Sequence, residues 1–173
     1  MTENRLNWKW GDTSPIAVTP APGARIHIGD LLWLDETGKC WPASEYPREE
    51  TADTRRGFAR RFIGVAMQES KAGRVNPIRV ATAGTFEFSL EGVTAPLILG
   101  MHVAPAFQGT GLSSSVKKKK TQGAGLSPPL KPQTVTPTDE KDTAIGWVAH
   151  TEDVKDGKAV IRVISSLLGR WDL

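Results

Sequence analysis

The sequence predicts an all-β chain: a small β-barrel or sandwich built from two diverged half-repeats, with an extended N-terminal arm and a long Gly/Ser/Lys/Pro loop. Three observations predict it. Short apolar or alternating runs are separated by turns rich in Gly, Asp and Pro. Helical periodicity is confined to one poor stretch. The two parts of the chain repeat each other in order.

Residues 1–24 carry Trp8, Trp10, Pro15, Pro20 and Pro22 with little periodicity, and are expected as an extended arm ahead of a single β domain at 25–173. Two tryptophans in such an arm either fold back on the core or dock on a neighbour, since aromatics are enriched in both settings. Arg25 to Ile28 reads as a strand, Gly29-Asp30 as a turn and Leu31 to Asp35 as a second strand. Glu36 to Lys39 then turns the chain toward Cys40-Trp41. Between Glu49 and Arg61, Arg56 and Arg60 share a helical face, but Gly57 interrupts it and the apolar stripe is meagre, so a loop or short helix is expected. Phe62 to Met67 is a short apolar strand, Ser70 to Gly73 a turn, and Ile78 to Phe88 alternates with β-branched and aromatic enrichment.

The repeat sets the architecture. Ile28-Gly29-Asp30-Leu31-Leu32 is echoed by Leu99-Gly100-Met101-His102-Val103, an apolar-Gly-polar corner leading into a strand. Ile63-Gly64-Val65-Ala66 is echoed by Ile145-Gly146-Trp147-Val148, and Ile78-Arg79-Val80 by Ile161-Arg162-Val163. The half-repeats are about 25–90 and 95–166. Each offers a few short strands with one apolar face to cover, and pairing the two sets gives a closed barrel or sandwich that removes exposed edges. The glycine in each Ile-Gly pair suggests a bulge or a close backbone approach. The second half is expanded by a loop at about 109–138, which holds Ser113-Ser114-Ser115, Lys117-Lys118-Lys119-Lys120 and four prolines but no aromatic residue.

Composition narrows the function classes. With 39% hydrophobic and 24% charged residues and no long apolar run, the 173-residue chain is neither a disordered polymer nor a membrane-spanning helical protein. Met1 to Lys9 offers no signal-peptide core, and Cys40 is the single cysteine, so a reducing cytoplasm is expected and no disulfide framework. Neither a nucleophile elbow, a zinc-binding helix motif nor a phosphate-cradling loop is present, and His27, His102 and His150 have no spaced metal-ligating partner. An enzyme is not expected, nor any cofactor or metal. The net charge of +3 invites a nucleic-acid reading, but Lys117 to Lys131 hold five lysines and no acid. Without them 17 basic residues face 19 acidic ones. The body of the domain is therefore not basic, and the lysine run lacks the interleaved aromatics that bind single strands. For Lys117, Lys118, Lys119 and Lys120 a solvated loop tip ranks first, contact with an acidic protein surface second and nucleic acid third.

The order of these segments resembles the capsid cement, or decoration, proteins of tailed bacteriophages. The matching text is Ile28-Gly29-Asp30-Leu31-Leu32, Gly38-Lys39-Cys40-Trp41-Pro42-Ala43, Phe62-Ile63-Gly64-Val65-Ala66, Ile78 to Phe86, Leu99-Gly100-Met101-His102-Val103 and Ala144 to Ala149. The resemblance implies a non-enzymatic β protein made in the host cytoplasm. It implies a homotrimer that binds the major capsid protein on the outside of an icosahedral shell and stabilises it, with no membrane or nucleic-acid partner. The chain departs from the family in its Trp-bearing arm and its expanded loop, which makes Trp8 and Trp10 the candidate capsid-binding residues and Lys117 to Lys120 a candidate surface contact. The rival classes are another virion spacer, in tail or baseplate, and a small nucleic-acid-binding β-barrel.

Overall fold

A computed structural model describes residues 7–48, 51–93, 96–108, 128–151 and 157–168. In chain order its elements are β1 (Asn7–Trp10), β2 (Pro15–Val18), β3 (Leu31–Leu34), β4 (Cys40–Pro42), α1 (Thr51–Arg61), β5 (Phe62–Ala66), β6 (Ile78–Ala81), β7 (Ala83–Leu90), β8 (His102–Phe107), β9 (Leu130–Pro137), β10 (Gly146–His150) and β11 (Lys158–Ile164). The chain is all-β in class. Its strands form two sheets, one in the order β2-β6-β5-β3-β4 and one in the order β1-β7-β11-β10-β8-β9. The second closes into a five-stranded barrel, because β7 also pairs in parallel with β9 at Ser89–Thr134 and Leu90–Val135, leaving β1 as an added edge strand. The first sheet is drawn round in the same sense by a parallel bridge from Pro20 to Cys40. There the Cys40 N–H donates to Thr19 O (3.0 Å) and the Ala21 N–H to Cys40 O (3.1 Å).

The two sheets are copies of one plan. Taken in order, β2 to β6 have the same neighbours as β7 to β11. The corners match bond for bond: the Gly29 N–H donates to Ala66 O (2.8 Å) as the Gly100 N–H does to Val148 O (2.9 Å). The Asp30 N–H reaches His27 O (3.1 Å) as the Met101 N–H reaches Ile98 O (3.0 Å). Both glycines have φ near +90° (93° and 84°), which a turn of this kind requires at its third position. Each unit also fills its own interior. Leu32, Ile63, Ala66, Ile78 and Val80 lie in one buried cluster, and their repeat partners Val103, Ile145, Val148, Ile161 and Val163 in the other.

Several expectations change here. Each half closes on itself rather than pairing with the other into one barrel. The unit boundary falls between β6 and β7, so β7, expected as the end of the first half, opens the second. The arm is not free: β2 supplies the first unit's opening strand, β1 pairs with β7, and Ala21 and Ala24 are buried in the first core. Arg25 to Ile28 makes only a single bridge, Ile26 to Ser70, because the chain must cross the barrel end there before turning at Gly29. The Glu49–Arg61 stretch contains an 11-residue helix. Gly57 does not break it; a Cβ at Gly57 would sit 2.5 Å from the Tyr46 hydroxyl, so glycine lets the helix lie against that ring while Phe58 buries beside it. At the far end of the expected loop, Leu130 to Pro137 form β9; Pro132 falls where the β8–β9 register shifts, between the Leu130 and Val135 pairings, and Pro137 is the last residue of the strand, so both prolines sit where the ladder is irregular or ends. Residues 109–127 lie outside the described residues.

The Ile-Gly glycines have a common cause. A Cβ on Gly64 would lie 2.0 Å from Ala81 O, and one on Gly146 2.2 Å from Arg162 O, so β5 and β10 cross their following strands at a distance that admits no side chain. The β10–β11 register is displaced by two residues relative to the sequence repeat, since Trp147 faces Arg162 where Val65 faces Ala81. A two-residue slip keeps every side chain on its face, which is why both cores survive it. Gly64→Ala and Gly146→Ala are therefore expected to cost at least about 2–3 kcal/mol each. Gly73→Ala, at positive φ like Gly64 but with nothing within 4 Å, is expected to cost only about 1 kcal/mol. Urea unfolding of the three variants checks this, and equal losses would contradict the close-crossing account.

Candidate docking surface

Trp8 and Trp10 lie on β1, the edge strand of the larger sheet, and are 52% and 44% exposed. A bulge at Lys9 sets Trp8 opposite Phe86 and Trp10 opposite Thr85, neighbouring positions of β7 whose side chains leave opposite faces. The two indoles therefore do not form one row. Lys9 reaches Glu87 (3.0 Å), which Lys158 also contacts (3.2 Å), so the edge is pinned by charge next to the tryptophans.

Trp10 begins a cross-strand row on the outside of the second barrel. Registers link Trp10 to Thr85, Thr85 to Arg162, Arg162 to Trp147 and Trp147 to His102. His150 meets the Trp10 ring edge to face at 6.1 Å between centroids. Gly11, at φ 92°, lets the chain pass over this row; a Cβ there would stand 3.5 Å from the Arg162 guanidinium. Apart from Trp10, no member of this row was singled out from the sequence as a surface residue. The signal was the repeated Ile-Arg-Val, since an arginine between two inward residues must project outward. Lys117 to Lys120 lie outside the described residues, so their expected role has no geometry attached to it.

The other titratable groups serve the framework. Asp35 organises the β3–β4 hairpin. Desolvation alone would raise its pKa, but donors from Lys39 N–H (3.0 Å), Trp41 Nε1 (2.9 Å), and Thr37 Oγ1 (2.7 Å) and N–H (2.8 Å) hold it down at about 2. Asp30 is buried at the first unit's corner and its pKa is raised by that burial, against the pull of the His27 N–H (2.8 Å) and of Gln133 Nε2 (2.6 Å) from β9. The Gln133 amide also donates to Ile28 O (3.3 Å), so the corner of the first unit is fastened to the hairpin of the second. Arg55 of α1 reinforces that junction, with Nε on Pro105 O (3.1 Å) and its guanidinium 4.5 Å from the Phe107 ring centre. Cys40 is buried in the first core, and desolvation pushes its thiol up to about 12.

The surface also carries hollows. One of about 400 Å³ is lined by Ile28, Met67, Glu69, Arg74 and Pro77, and one of about 300 Å³ by Leu34, Glu36, Arg60, Arg61, Ile63 and Leu167. Among the described residues no three His, Cys, Asp or Glu side chains converge as metal ligands, and no helix is long and apolar enough to cross a membrane. No protein-family model, characterised protein or solved structure matches the chain.

The depressed Asp35 carboxyl gives a pH test. Its stabilising contribution is fully present above the ordinary aspartate value of about 3.9 and is lost as pH falls through about 2. Asp35→Asn should thus be less stable than the native chain near pH 6, with the gap closing toward pH 2. Thermal melts across that range measure it, and a pH-independent gap would mean the carboxylate charge is not what the hairpin uses.

Proposed function

We propose that this chain is a non-enzymatic structural protein of a tailed-bacteriophage virion, binding the outside of the capsid and stabilising it as a cement protein. The reading rests on the order of the repeated segments described above. The observation that carries the anchoring part is the pair of tryptophans on β1, a strand paired on one side only. Large aromatic side chains left half in water on an edge strand bring apolar area to a partner at low entropy cost, and such residues dominate interface energies. The tandem barrels then act as a rigid body between contacts. Many copies on one shell give collective strength from individually modest interfaces.

Deleting residues 1–22 would remove β2 together with the tryptophans, so the anchor is tested by point substitution. Trp8→Ser/Trp10→Ser should leave the melting temperature nearly unchanged and weaken binding to undecorated shells by about 30-fold or more, equivalent to at least about 2 kcal/mol. Copies per particle, counted on purified heads and on tails separately, give the readout. Undiminished head occupancy would rule out the tryptophan anchor, and occupancy on tails alone would replace the cement role by that of a tail spacer. Changing Lys117 to Lys120 to serine should matter less.

A further inference from the structure

The second unit carries an unpartnered copy of the surface by which the first unit holds it. In the first unit the corner His27–Asp30 lies against the β8–β9 hairpin of the second, with Gln133 donating to Ile28 O and to Asp30. The repeat places Ile98, Leu99 and Met101 at the equivalent corner of the second unit, where the same turn hydrogen bonds are made. No described residue of the chain covers this corner. Ile98 and Leu99 are 65% and 67% exposed, the two most exposed large hydrophobics among the described residues. Turn geometry needs only Gly100, so two adjacent aliphatic side chains at the tip are not explained by the local fold.

The receiving surface is present on the same chain. The counterpart of the β8–β9 hairpin is the β3–β4 hairpin. Pairing β4 with β9 through their parallel closures sets Gly38 where Gln133 stands, just as Met101 stands where Asp30 does. The polar pair of the internal junction is thus replaced on both sides by residues that ask for no hydrogen bond. Beside that hairpin is the hollow of about 300 Å³, where Leu34, Ile63 and Leu167 stand among charged residues of the β3–β4 turn and the end of α1, with room for two aliphatic side chains. Corner and hollow are unlike patches on different units, so the contact repeats head to tail from copy to copy unless two copies close it reciprocally about a two-fold axis.

We propose that the Ile98–Leu99 corner of one copy docks in the hollow beside the β3–β4 hairpin of a second copy, extending between chains the contact that joins the two barrels within one. This concerns the free protein and stands independently of any capsid role. Ile98→Ser/Leu99→Ser should weaken self-association at least tenfold in sedimentation equilibrium, with an unchanged near-ultraviolet spectrum as the check on folding. Orientation is tested by disulfide trapping. The buried Cys40 is a silent background, and a chain carrying both Leu99→Cys and Glu36→Cys should crosslink into multimers, whereas either single variant should not. A native chain that stays monomeric up to about 100 µM, weaker than a useful Kd for such a contact, would overturn the proposal. So would self-association that survives the serine substitutions, or crosslinking by Leu99→Cys alone, which would mean a face-to-face dimer.

Discussion

Everything in this molecule hangs on one wall of strands that is apolar on both faces. Leu32 and Ile63 point into the first barrel, while Leu31, Trp33, Phe62 and, beyond Gly64, Val65 join the cluster that holds the second barrel's interior. A half-exposed sheet alternates polar and apolar residues, but β5 is buried along its whole length and β3 along nearly all of it. In the mature protein that outer face is covered by the second barrel, which removes its apolar side chains from water. Tyr46 and Phe58 complete the cover, with Tyr46 edge-on to Trp33 at 5.0 Å and to Phe58 at 5.5 Å. The connection between β4 and β5 therefore folds as a helix: it delivers Phe58 to the seam, and its own weak amphipathic pattern matters less than what it is packed against.

Polar contacts across the seam fix the relation of the two units. The Asp30–Gln133 bond, Arg55 on Pro105 O, and Arg56 bridging Asp53 and Asp142 are arranged along one junction. A buried carboxylate such as Asp30 is expensive to desolvate, and an aliphatic residue of similar size would pack there at less cost. Its value lies in specifying the docking angle, since an all-apolar seam would tolerate sliding.

Much of this was legible in the residues. The alternation of Ile78 to Phe88, the Gly-centred corners and the repeated Ile-Gly and Ile-Arg-Val pairs gave the β class, the duplication and the close approach at Gly64 and Gly146. The phase of the duplication was not legible, because the opening strands have no shared text: Pro15-Ile16-Ala17-Val18 and the stretch from Ala83 to Leu90 correspond only through whom they pair with. Leu130 to Pro137 reads as loop in the sequence because its prolines argue against a strand, and its partners on either side are visible only in the fold. At the surface, Trp8 and Trp10 stood out as aromatics without a core pattern around them, yet their opposite faces depend on a bulge that no composition reveals. Ile98 and Leu99 were hidden for the reverse reason, since apolar residues ahead of a strand look like core until a neighbour is seen to be missing.

The seam between units also imposes a timetable on synthesis. The first barrel has all of its strands once Ala81 has left the ribosome, because β2 and β6 then can meet and Cys40 can bridge to Pro20. β7 must wait for β11, which ends at Ile164, before its main antiparallel partner exists. For the intervening eighty or so residues of translation, a closed first barrel carries Leu31, Trp33, Phe62 and Val65 on a bare outer wall. Nascent chains on neighbouring ribosomes of one message would bring such walls close together, and the vulnerable moment of this protein is thus its birth rather than its mature state.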